Sequence, residues 1–462
     1  MPVLLPTDRL FFLMLLGLLV GVIHTLRQEH LRRPWRKVAR SRSAMISLVI
    51  LLGYLTIAVL DSIRLPTPEV NGSDPPTLLD RGLSHLRDSQ EKTYSAPLAA
   101  FAQAREMLRQ TDGHAVWAYP RLTFGGRHLA DPARDRLPDL ARRTVQGALL
   151  GLSVWLAGTL LGLWLRRGWH RAPAPAPDVP ASAALRLPWR AIALTALLIC
   201  LLVGIGLELS RGYHVFGTGK VGEDVLYQSL KSIRTGILIG TLTTVATLPL
   251  GLGLGILAGY FRGWVDDVIQ YLYTTLNSIP GVLLIAAAML VMQSYMARHE
   301  AEFTRLAARA DFRLLALCLI LGMTSWTGLC RLLRAETLKL RELEYVQAAR
   351  VLGVSQARIL LRHILPNLFH LVLISVALDF SSLVLAEAVL SYVNIGVDPT
   401  TESWGNMING ARLELAREPA VWWSLTAAFA FMFVLVLAAN LFADAVRDAF
   451  DPRRGDPTDR PA

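Results

Sequence analysis

Residues 344–367 read EYVQAARVLGVSQARILLRHILPN, and this stretch decides the interpretation of the whole chain. It connects two apolar runs, and it has the composition of an ordered segment. From about 342 to 352 the residues are compatible with a helix. Gly353 ends that helix, because glycine adopts the left-handed turn conformation that other residues resist. The first half of the stretch therefore predicts a short helix followed by a turn.

The second half of the stretch predicts another short helix, over 356–364. Ser355 can cap its N-terminus. Pro366 stops it and suits the first turn of the apolar run that follows. In the first helix, Ala348 and Ala349 leave a low surface that another backbone or side chain can approach closely. We expect the arginines of the stretch to point to water or to a partner: Arg350, Arg358 and Arg362.

The rest of the chain is strongly apolar. Of its 462 residues, 53% are hydrophobic and 18% are charged, against roughly 45–50% and about 25% in ordinary soluble domains. The apolar residues form runs long enough to cross a bilayer, which takes roughly 20 residues. We therefore predict an all-α polytopic membrane protein. Nine spans can be drawn, at about 10–26, 44–61, 146–166, 189–209, 232–260, 268–292, 313–333, 369–390 and 421–445.

The formal net charge of +11 is compatible with a nucleic-acid partner or with an anionic membrane surface. Its distribution favours the membrane, because seven Lys/Arg and one acid lie from Arg27 to Arg42, between two spans. Short basic loops beside spans mark the cytoplasmic side. The alternating spans then place the N-terminus outside and the C-terminus inside. We expect a multi-pass protein of the bacterial cytoplasmic (inner) membrane, in contact with the lipid bilayer and without a nucleic-acid partner.

Two of the connections between spans have a composition of their own. Segment 62–145 is long and charge-balanced, and it predicts a helix with Ser95 as N-cap and Gly113 as stop. With the leucines upstream, it is either a small helical extracytoplasmic domain or a loosely ordered loop. Those leucines are Leu79, Leu83 and Leu86. Prolines alternate with alanines in 171–182, which predicts a stiff linker on the inner side.

A family pattern is visible in the loop and beyond it. Gln347-Ala-Ala, Gly353 six residues later, and Leu365-Pro366 resemble the Glu-Ala-Ala loop of the binding-protein-dependent ABC importer permeases. The full string resembles the dipeptide/oligopeptide/nickel branch of that family, and within it the second, C-type permease subunit. Gln347 departs from the pattern, because the family has Glu there, and His363 stands where Ile is usual. Further similar strings lie at 259–265, 385–391, 403–407 and 447–453.

The resemblance implies a type I ABC importer permease core of about six spans, with about three extra spans and an extracytoplasmic insertion added here. In such importers the first helix of the loop is the coupling helix, which docks on a cytosolic ATPase and transmits its movement to the spans. We expect a transport subunit that lines half of the solute pathway and is not an enzyme. The residues expected to form the ATPase-coupling loop are Glu344, Tyr345, Gln347, Ala348, Ala349, Arg350, Gly353, Arg358, His363, Leu365 and Pro366.

The resemblance also implies the partners. They are a second homologous permease subunit, two cytosolic ATPase subunits and an extracytoplasmic solute-binding protein. ATP and Mg would be bound by the partner ATPases, so no cofactor is expected in this chain. The three cysteines are dispersed and lack metal-ligand spacing, which indicates neither a disulfide framework nor a metal site.

The solute itself is left open by the sequence. Di- or oligopeptides are favoured, and nickel or another small solute carried by the same mechanism is the alternative. A metal path would be expected to show clustered His or Cys, and His214 stands alone near the outer mouth. An alternative of another class is a proton-coupled secondary carrier. It would need a relay of ionisable residues, and the core spans offer little beyond Asp379.

Ionisable residues inside spans are costly and are functional hypotheses by default. Asp379 lies in the middle of span 369–390, and Glu387 lies near its outer end. Glu387 is either a polar clamp between the span and the outer loop or a part of the pathway. Asp379, Glu387 and Trp404 are the candidates for the pathway or its outer gate. A GxxxGxxxG stripe, which favours close helix packing within the subunit or against a partner, is formed by Gly251, Gly255 and Gly259.

These features predict a division of the chain. The first core span is either 44–61, which we prefer, or 189–209. The predicted parts are an extra N-terminal span with a basic inner loop (1–43), the first core span (44–61), a partly helical extracytoplasmic insertion (62–145), an inserted helical hairpin with the inner linker 171–182 (146–209), the permease core with the coupling loop 334–368 (210–453), and an inner tail (454–462).

Overall fold

A computed structural model of the chain describes residues 5–27, 29–65, 75–109, 115–169, 187–303 and 305–450. The predicted linker 171–182 and the inner tail 454–462 lie outside the described residues. The helices are α1 (Pro6–Arg27), α2 (Glu29–Arg40), α3 (Arg42–Ser62), α4 (Leu78–Gly82), α5 (Ser84–Arg87), α6 (Pro132–Trp169), α7 (Trp189–Ser210), α8 (Val225–Phe261), α9 (Trp264–Ser278), α10 (Gly281–Arg298), α11 (Leu306–Leu340), α12 (Glu344–Val351), α13 (Gln356–Ile359), α14 (Leu365–Tyr392), α15 (Trp404–Ala411) and α16 (Trp423–Phe450).

Eight of the described helices are long and apolar enough to cross a membrane. They are α1, α3, α6, α7, α8, α10, α14 together with α13, and α16. The predicted span 313–333 lies inside α11, a 35-residue helix with many buried residues that is not one of these eight, so this ninth span stays a prediction. The prediction of an all-α polytopic membrane protein is confirmed.

The predicted span 268–292 is wrong, because the chain breaks within it. Helix α9 ends at Ser278, and α10 begins only at Gly281. Between them lies Pro280, whose ring disfavours the helical conformation of the preceding Ile279; that residue is extended, with φ −93° and ψ 131°. The break leaves α9 as a separate short helix of mixed polarity and α10 as the membrane-crossing one.

The predicted helix from Ser95 to Gly113 is also wrong. The described residues from 106 to 118 form a two-stranded antiparallel ribbon of β1 (Glu106–Arg109) and β2 (Ala115–Ala118). Met107 pairs with Trp117 and Leu108 pairs with Val116. Aromatic and β-branched residues favour such pairs, so the pairing partner in β2 outweighs the helix-compatible spacing in β1.

The described residues divide into two compact units. The first contains those of 29–234 and 402–445, and the second contains those of 5–27, 235–401 and 446–450. In the first unit, α3 contacts α7, and the Tyr54 hydroxyl donates to the Phe431 carbonyl of α16 at 2.9 Å. The choice of 44–61 as the first core span stays a prediction.

Helices α6 and α7 form a closely packed hairpin in the first unit. A Cβ added at Gly147 would lie 2.6 Å from the carbonyl oxygen of Gly204, so only glycine allows this approach. The Trp155 indole donates to the Ala193 carbonyl at 2.9 Å. Helix α6 begins at Pro132, well before the predicted start of the hairpin at 146, so its first turns belong to the segment predicted as an insertion.

The described part of the insertion is ordered against the rest of the first unit. Leu79, Leu83 and Leu86 form a buried cluster that packs with residues of α3, α7 and α8. Farther along, the Glu91 carboxylate accepts hydrogen bonds from three consecutive backbone N–H groups. These belong to Thr123 at 2.9 Å, Phe124 at 2.7 Å and Gly125 at 3.2 Å. The described residues thus form a small folded part that contains α4, α5, the ribbon of β1 and β2, and the first turns of α6.

His214 is held between two carboxylates in this part of the chain. Its Nδ1 lies 2.8 Å from Asp224 Oδ2 and its Nε2 lies 3.5 Å from Glu91 Oε1, and its side chain is 3% exposed. Burial by itself lowers the pKa of His214, but the hydrogen bond to Asp224 and the charges of both acids raise it to about 9. The histidine that stands alone near the predicted outer mouth is therefore one member of a buried ion-pair cluster.

This cluster predicts an alkaline limit to the stability of the first unit. Because the folded pKa of His214 lies above its ordinary 6.5, the stabilisation is complete below about pH 6.5 and is lost as the pH rises through about 9. We expect the segment 75–131 of the purified protein to become more susceptible to limited proteolysis as the pH rises across that range. His214→Gln should remove this pH dependence, and His299→Gln, at a half-buried position in the second unit, should keep it. Unchanged proteolysis of the wild-type protein up to pH 10 would contradict the prediction.

The extra N-terminal span is fixed to α11 within the second unit. The Thr7 backbone N–H donates to Asp311 Oδ2 at 3.1 Å, and the Thr7 hydroxyl donates to Oδ1 of the same side chain. Phe11 is fully buried. Helix α1 is therefore an integral member of this unit.

Candidate functional site

The predicted coupling loop is a packed structure in the second unit. Helix α12 directs Val346 and Ala349 inward, and Ile359 and Ile364 follow from the second half of the loop. These four side chains join a buried cluster that also contains residues of α8, α11 and α14. With Ile359 and Ile364 almost fully buried, the loop is anchored at both ends on the membrane helices.

Gly353 forms the turn between α12 and α13 in the left-handed conformation, with φ +75°. Its N–H donates to the Arg350 carbonyl at 3.1 Å, and the Val354 N–H donates to the Ala349 carbonyl at 3.0 Å. The turn follows the prediction from sequence. Ser355 stands at the N-cap of α13 as predicted, although its side chain makes no capping hydrogen bond there.

The predicted stop at Pro366 is wrong, because the helix continues through it, whereas its predicted place in the first turn of the next span is confirmed. Residues Leu360–Ile364 form a π-helical turn that joins α13 directly to α14. Proline cannot donate the hydrogen bond that a regular helix needs at its position. A π turn is a known way for a helix to absorb such a local irregularity. The second half of the loop and the next span therefore form one continuous helix.

Gln347, the departure from the family pattern, points back to the start of the loop. Its Nε2 donates to the Arg341 carbonyl at 3.2 Å and to Glu342 Oε2 at 3.4 Å. Glu342 also pairs with Arg262 at 2.8 Å. A glutamate at 347 has no N–H to donate and would place a second negative charge beside Glu342. The Gln347 amide therefore fits between Arg341 and Glu342, and it donates to a backbone carbonyl at the C-terminal end of α11.

Two further contacts hold the loop to its neighbours. The Asn367 side chain donates to the Tyr345 hydroxyl at 3.0 Å and to the His363 carbonyl at 2.7 Å. The Arg350 guanidinium lies over the Tyr260 ring, 5.5 Å from its centre. Sequence reasoning missed Asn367 and Tyr260, because their partners belong to different helices.

An ion pair joins α9 to α11, the helix that leads into the loop. Arg334 donates two hydrogen bonds to the Asp266 carboxylate, at 2.5 and 2.7 Å. These hydrogen bonds hold the pKa of Asp266 below its usual range. A bidentate pair of this kind fixes orientation as well as distance, so it ties the short helix α9 to the helix that leads into the loop.

The outer face of the loop is apolar and exposed. Val351 is 86% exposed, Leu352 is 81% exposed and Tyr345 is 43% exposed. Ala348 is also exposed, whereas Ala349 is buried against the loop itself. Of the two alanines, only Ala348 can therefore meet a partner. The remaining members of the predicted site that lie on the surface of the loop are Glu344, Arg358 and Pro366, with Leu365 and His363 half-buried.

The candidate pathway residues are found in both units. Asp379 is half-buried and lines a cavity between α8, α11 and α14. Glu387 is buried and accepts a hydrogen bond from the Ser391 hydroxyl at 2.7 Å. In the first unit, Trp404 is 1% exposed and its indole donates to the Ser229 carbonyl at 3.2 Å. A pathway or gate role for these residues stays a prediction.

The glycine stripe of α8 packs on α11. A Cβ added at Gly255 would lie 2.8 Å from the Cys330 carbonyl oxygen, and one at Gly259 would lie 2.6 Å from Thr337 Cβ. Gly251 faces Leu329 at 2.8 Å in the same way. The stripe therefore serves packing inside the chain, between α8 and the helix that leads into the coupling loop.

Comparisons with known proteins agree with this architecture. The family described as "Binding-protein-dependent transport system inner membrane component" matches residues 251–456. The glutathione transport system permease protein GsiD of Pectobacterium atrosepticum is 31% identical over 242 residues, which are 52% of this chain and 73% of that protein. The oligopeptide transport system permease protein OppC of Mycobacterium tuberculosis is 30% identical over 239 residues, covering 52% and 76%. The dipeptide transport system permease protein DppC of Lactococcus lactis is 30% identical over 240 residues, covering 52% and 64%.

The chain is polytopic and helical, and it carries an anchored surface helix, α12, between α11 and α14. The chain belongs to the family of binding-protein-dependent ABC importer permeases. Members of this family are membrane-embedded transport components that work with ATPase and binding-protein partners, and they are not enzymes. The family resemblance drawn from the loop is thereby confirmed.

Proposed function

We propose that this chain is one of the two permease subunits of an ATP-driven peptide importer in the bacterial inner membrane. The relatives above are named for oligopeptide, dipeptide and glutathione transport, which supports peptides over nickel. The burial of His214 in an ion-pair cluster gives it a structural role, so nothing at that position favours a metal path. Family membership speaks against a proton-coupled secondary carrier.

The complete importer in this proposal has a second homologous permease, two cytosolic ATPases that bind ATP and Mg, and an extracytoplasmic solute-binding protein. The N-terminus lies outside and the C-terminus inside, as the basic loop 27–42 indicates. In this arrangement α12 is on the cytoplasmic side, where an ATPase can reach it.

The observation that carries the proposal is the contrast between the two faces of the coupling loop. Its inner face is buried through Val346, Ala349 and Ile359, and its outer face exposes Val351 and Leu352. Exposed apolar side chains on an anchored element are typical of a docking surface. The helix is continuous from α13 into α14. Because a packed helix moves as a rigid body, a displacement of the loop is transferred to α14.

A charge on the exposed face is expected to prevent docking. Leu352→Asp should weaken the binding of the ATPase subunits at least about tenfold, because an apolar contact is replaced by a charge that must lose its water. Co-purification of the ATPases with the membrane-inserted permease measures this. Gln356→Asp, which adds the same charge at an exposed position of α13, is the matched control. Equal co-purification of the wild-type and Leu352→Asp proteins would contradict the docking role.

A further inference from the structure

A cavity of about 190 Å³ lies inside the second unit, between α8, α11 and α14. Exposed Ser325 and Ser382 stand at its rim, so it opens onto the surface of the unit. Asp379 is the one ionisable residue among the ten described residues that line it. The lining consists of Thr244, Thr247 and Leu248 from α8, Ser325 and Leu329 from α11, and Val376, Asp379, Ser382, Leu383 and Ala386 from α14.

Three of the four hydroxyl groups that line the cavity, those of Thr244, Thr247 and Ser382, have already used their hydrogens. Thr244 donates to the Gly240 carbonyl at 2.7 Å, and Thr247 donates to the Thr243 carbonyl at 2.9 Å. Ser382 donates to the backbone carbonyl of Asp379 at 2.8 Å. A hydroxyl whose hydrogen is engaged can only accept further hydrogen bonds. These three groups therefore present oxygen lone pairs and no donors to whatever enters the cavity.

The Asp379 carboxylate adds a negative charge to these hydrogen-bond acceptors. Within the described ranges, neither of its oxygens has a hydrogen bond or an ion-pair partner from the protein. A carboxylate inside a membrane protein is costly unless a cation or donors meet it. A ligand that matches the cavity must therefore carry positive charge and several N–H or O–H donors.

A primary ammonium group has the required chemistry, with a unit charge and three donors. The size of the cavity agrees. At about 30 Å³ for each water molecule of the liquid, the space corresponds to about six water molecules. This is enough for an ammonium group with the carbon atoms beside it, and it is too small for a whole peptide.

We propose that Asp379, with Thr244, Thr247 and Ser382, binds a primary ammonium group of the solute during its passage. The inference rests on the proposed function in naming the solute, because peptides carry such a group at the N-terminus or on a lysine side chain. Binding to the cavity itself can be tested without transport.

The direct test is protection of Asp379 from dicyclohexylcarbodiimide, which modifies carboxyl groups in apolar surroundings. Membranes containing the assembled importer are treated with the reagent, and the remaining unmodified Asp379 is quantified by mass spectrometry, so that both the N-acylurea and any amide formed with propylamine count as modification. Propylammonium chloride should slow this modification about tenfold, as a charge-assisted hydrogen bond would. n-Butanol and potassium chloride at the same concentration should not. Absence of protection by propylammonium, or equal protection by n-butanol or potassium, would overturn the proposal.

A transport measurement then tests the role and identifies the source of the ammonium group. Asp379→Asn should lower the uptake of trialanine and of Ala-Lys-Ala about tenfold and leave that of N-acetyl-trialanine at the wild-type rate. Asp379→Glu should restore part of the loss. A loss confined to Ala-Lys-Ala would assign the site to lysine side chains. Equal loss for all three peptides would overturn the proposal.

The carbodiimide experiment and the transport experiment can be contradicted independently of each other. If the wild-type importer takes up none of the three peptides, the proposed peptide function is wrong. In that case the carbodiimide experiment still decides whether the cavity binds ammonium groups.

Discussion

Gly353→Pro is expected to abolish uptake and the stimulation of ATPase activity by transport, while the protein still inserts into the membrane. Gly353 has φ +75°, whereas proline fixes φ near about −65°. The substitution also removes the N–H that donates to the Arg350 carbonyl. Such a replacement costs about 3 kcal/mol or more, which corresponds to a loss of more than about a hundredfold in the population of the native turn. Helix α12 would then lose its fixed position on the membrane helices, and its exposed face would no longer be held in place.

Gly353→Asn is the matched control for this experiment. Asparagine tolerates the left-handed conformation better than other residues with a side chain, and an added Cβ meets nothing within 4 Å at this position. We expect it to keep most of the uptake. Uptake into proteoliposomes and ATPase activity are measured on the same preparations. If Gly353→Pro couples as well as the wild-type protein, the loop does not transmit the ATPase movement.

Gly255→Leu is expected to have the second large effect, on the folding of the core. Its side chain would have to enter a space where a Cβ already lies 2.8 Å from the Cys330 carbonyl oxygen and 3.0 Å from Leu333 Cβ. Helix α8 must then move away from α11. Overpacking of this kind costs about 1–3 kcal/mol, and about 2–4 °C of the unfolding midpoint is lost for each kcal/mol in a domain of comparable size. We expect a midpoint about 5 °C lower and less protein in the membrane.

Gly253→Leu provides the comparison within the same helix turn. Nothing lies within 4 Å of a Cβ at Gly253, so the same side chain can be placed there without moving α11. Its thermal unfolding, followed by size-exclusion chromatography after heating in detergent, should match the wild-type protein. If both leucine variants unfold at the wild-type temperature, the stripe does not hold the two helices together.

Much of the fold could be predicted, because membrane helices are specified by local composition. The apolar runs indicated the spans, and Gly353 indicated the turn through its own backbone preference. Pro280 carried a signal for the break between α9 and α10, and the length of the apolar run around it concealed that signal. The ribbon at Met107 and Leu108 was hidden for a different reason. Apolar residues at short spacing suit a helix as well as a strand, and the pairing partner in β2 decides.

The candidate site was predictable where it is continuous in sequence and not where helices meet. The loop could be recognised as one string, yet the partners of Gln347 and Tyr345 depend on how α11 and α14 are placed. The cavity at Asp379 is assembled from residues more than a hundred positions apart. Thr244 and Thr247 gave no signal in sequence, since hydroxyl residues occur in many membrane helices and most bond their own backbone.

The hydrogen bonds between Thr7 and Asp311 give the N-terminal helix a use in following the transport cycle. They attach α1 to α11, and a short turn at 341–343 joins α11 to α12, the predicted coupling helix. On the proposed function, a displacement of α12 by an ATPase would be carried through α11 to the first turn of α1. A fluorophore or spin label near residue 5 would then report this movement.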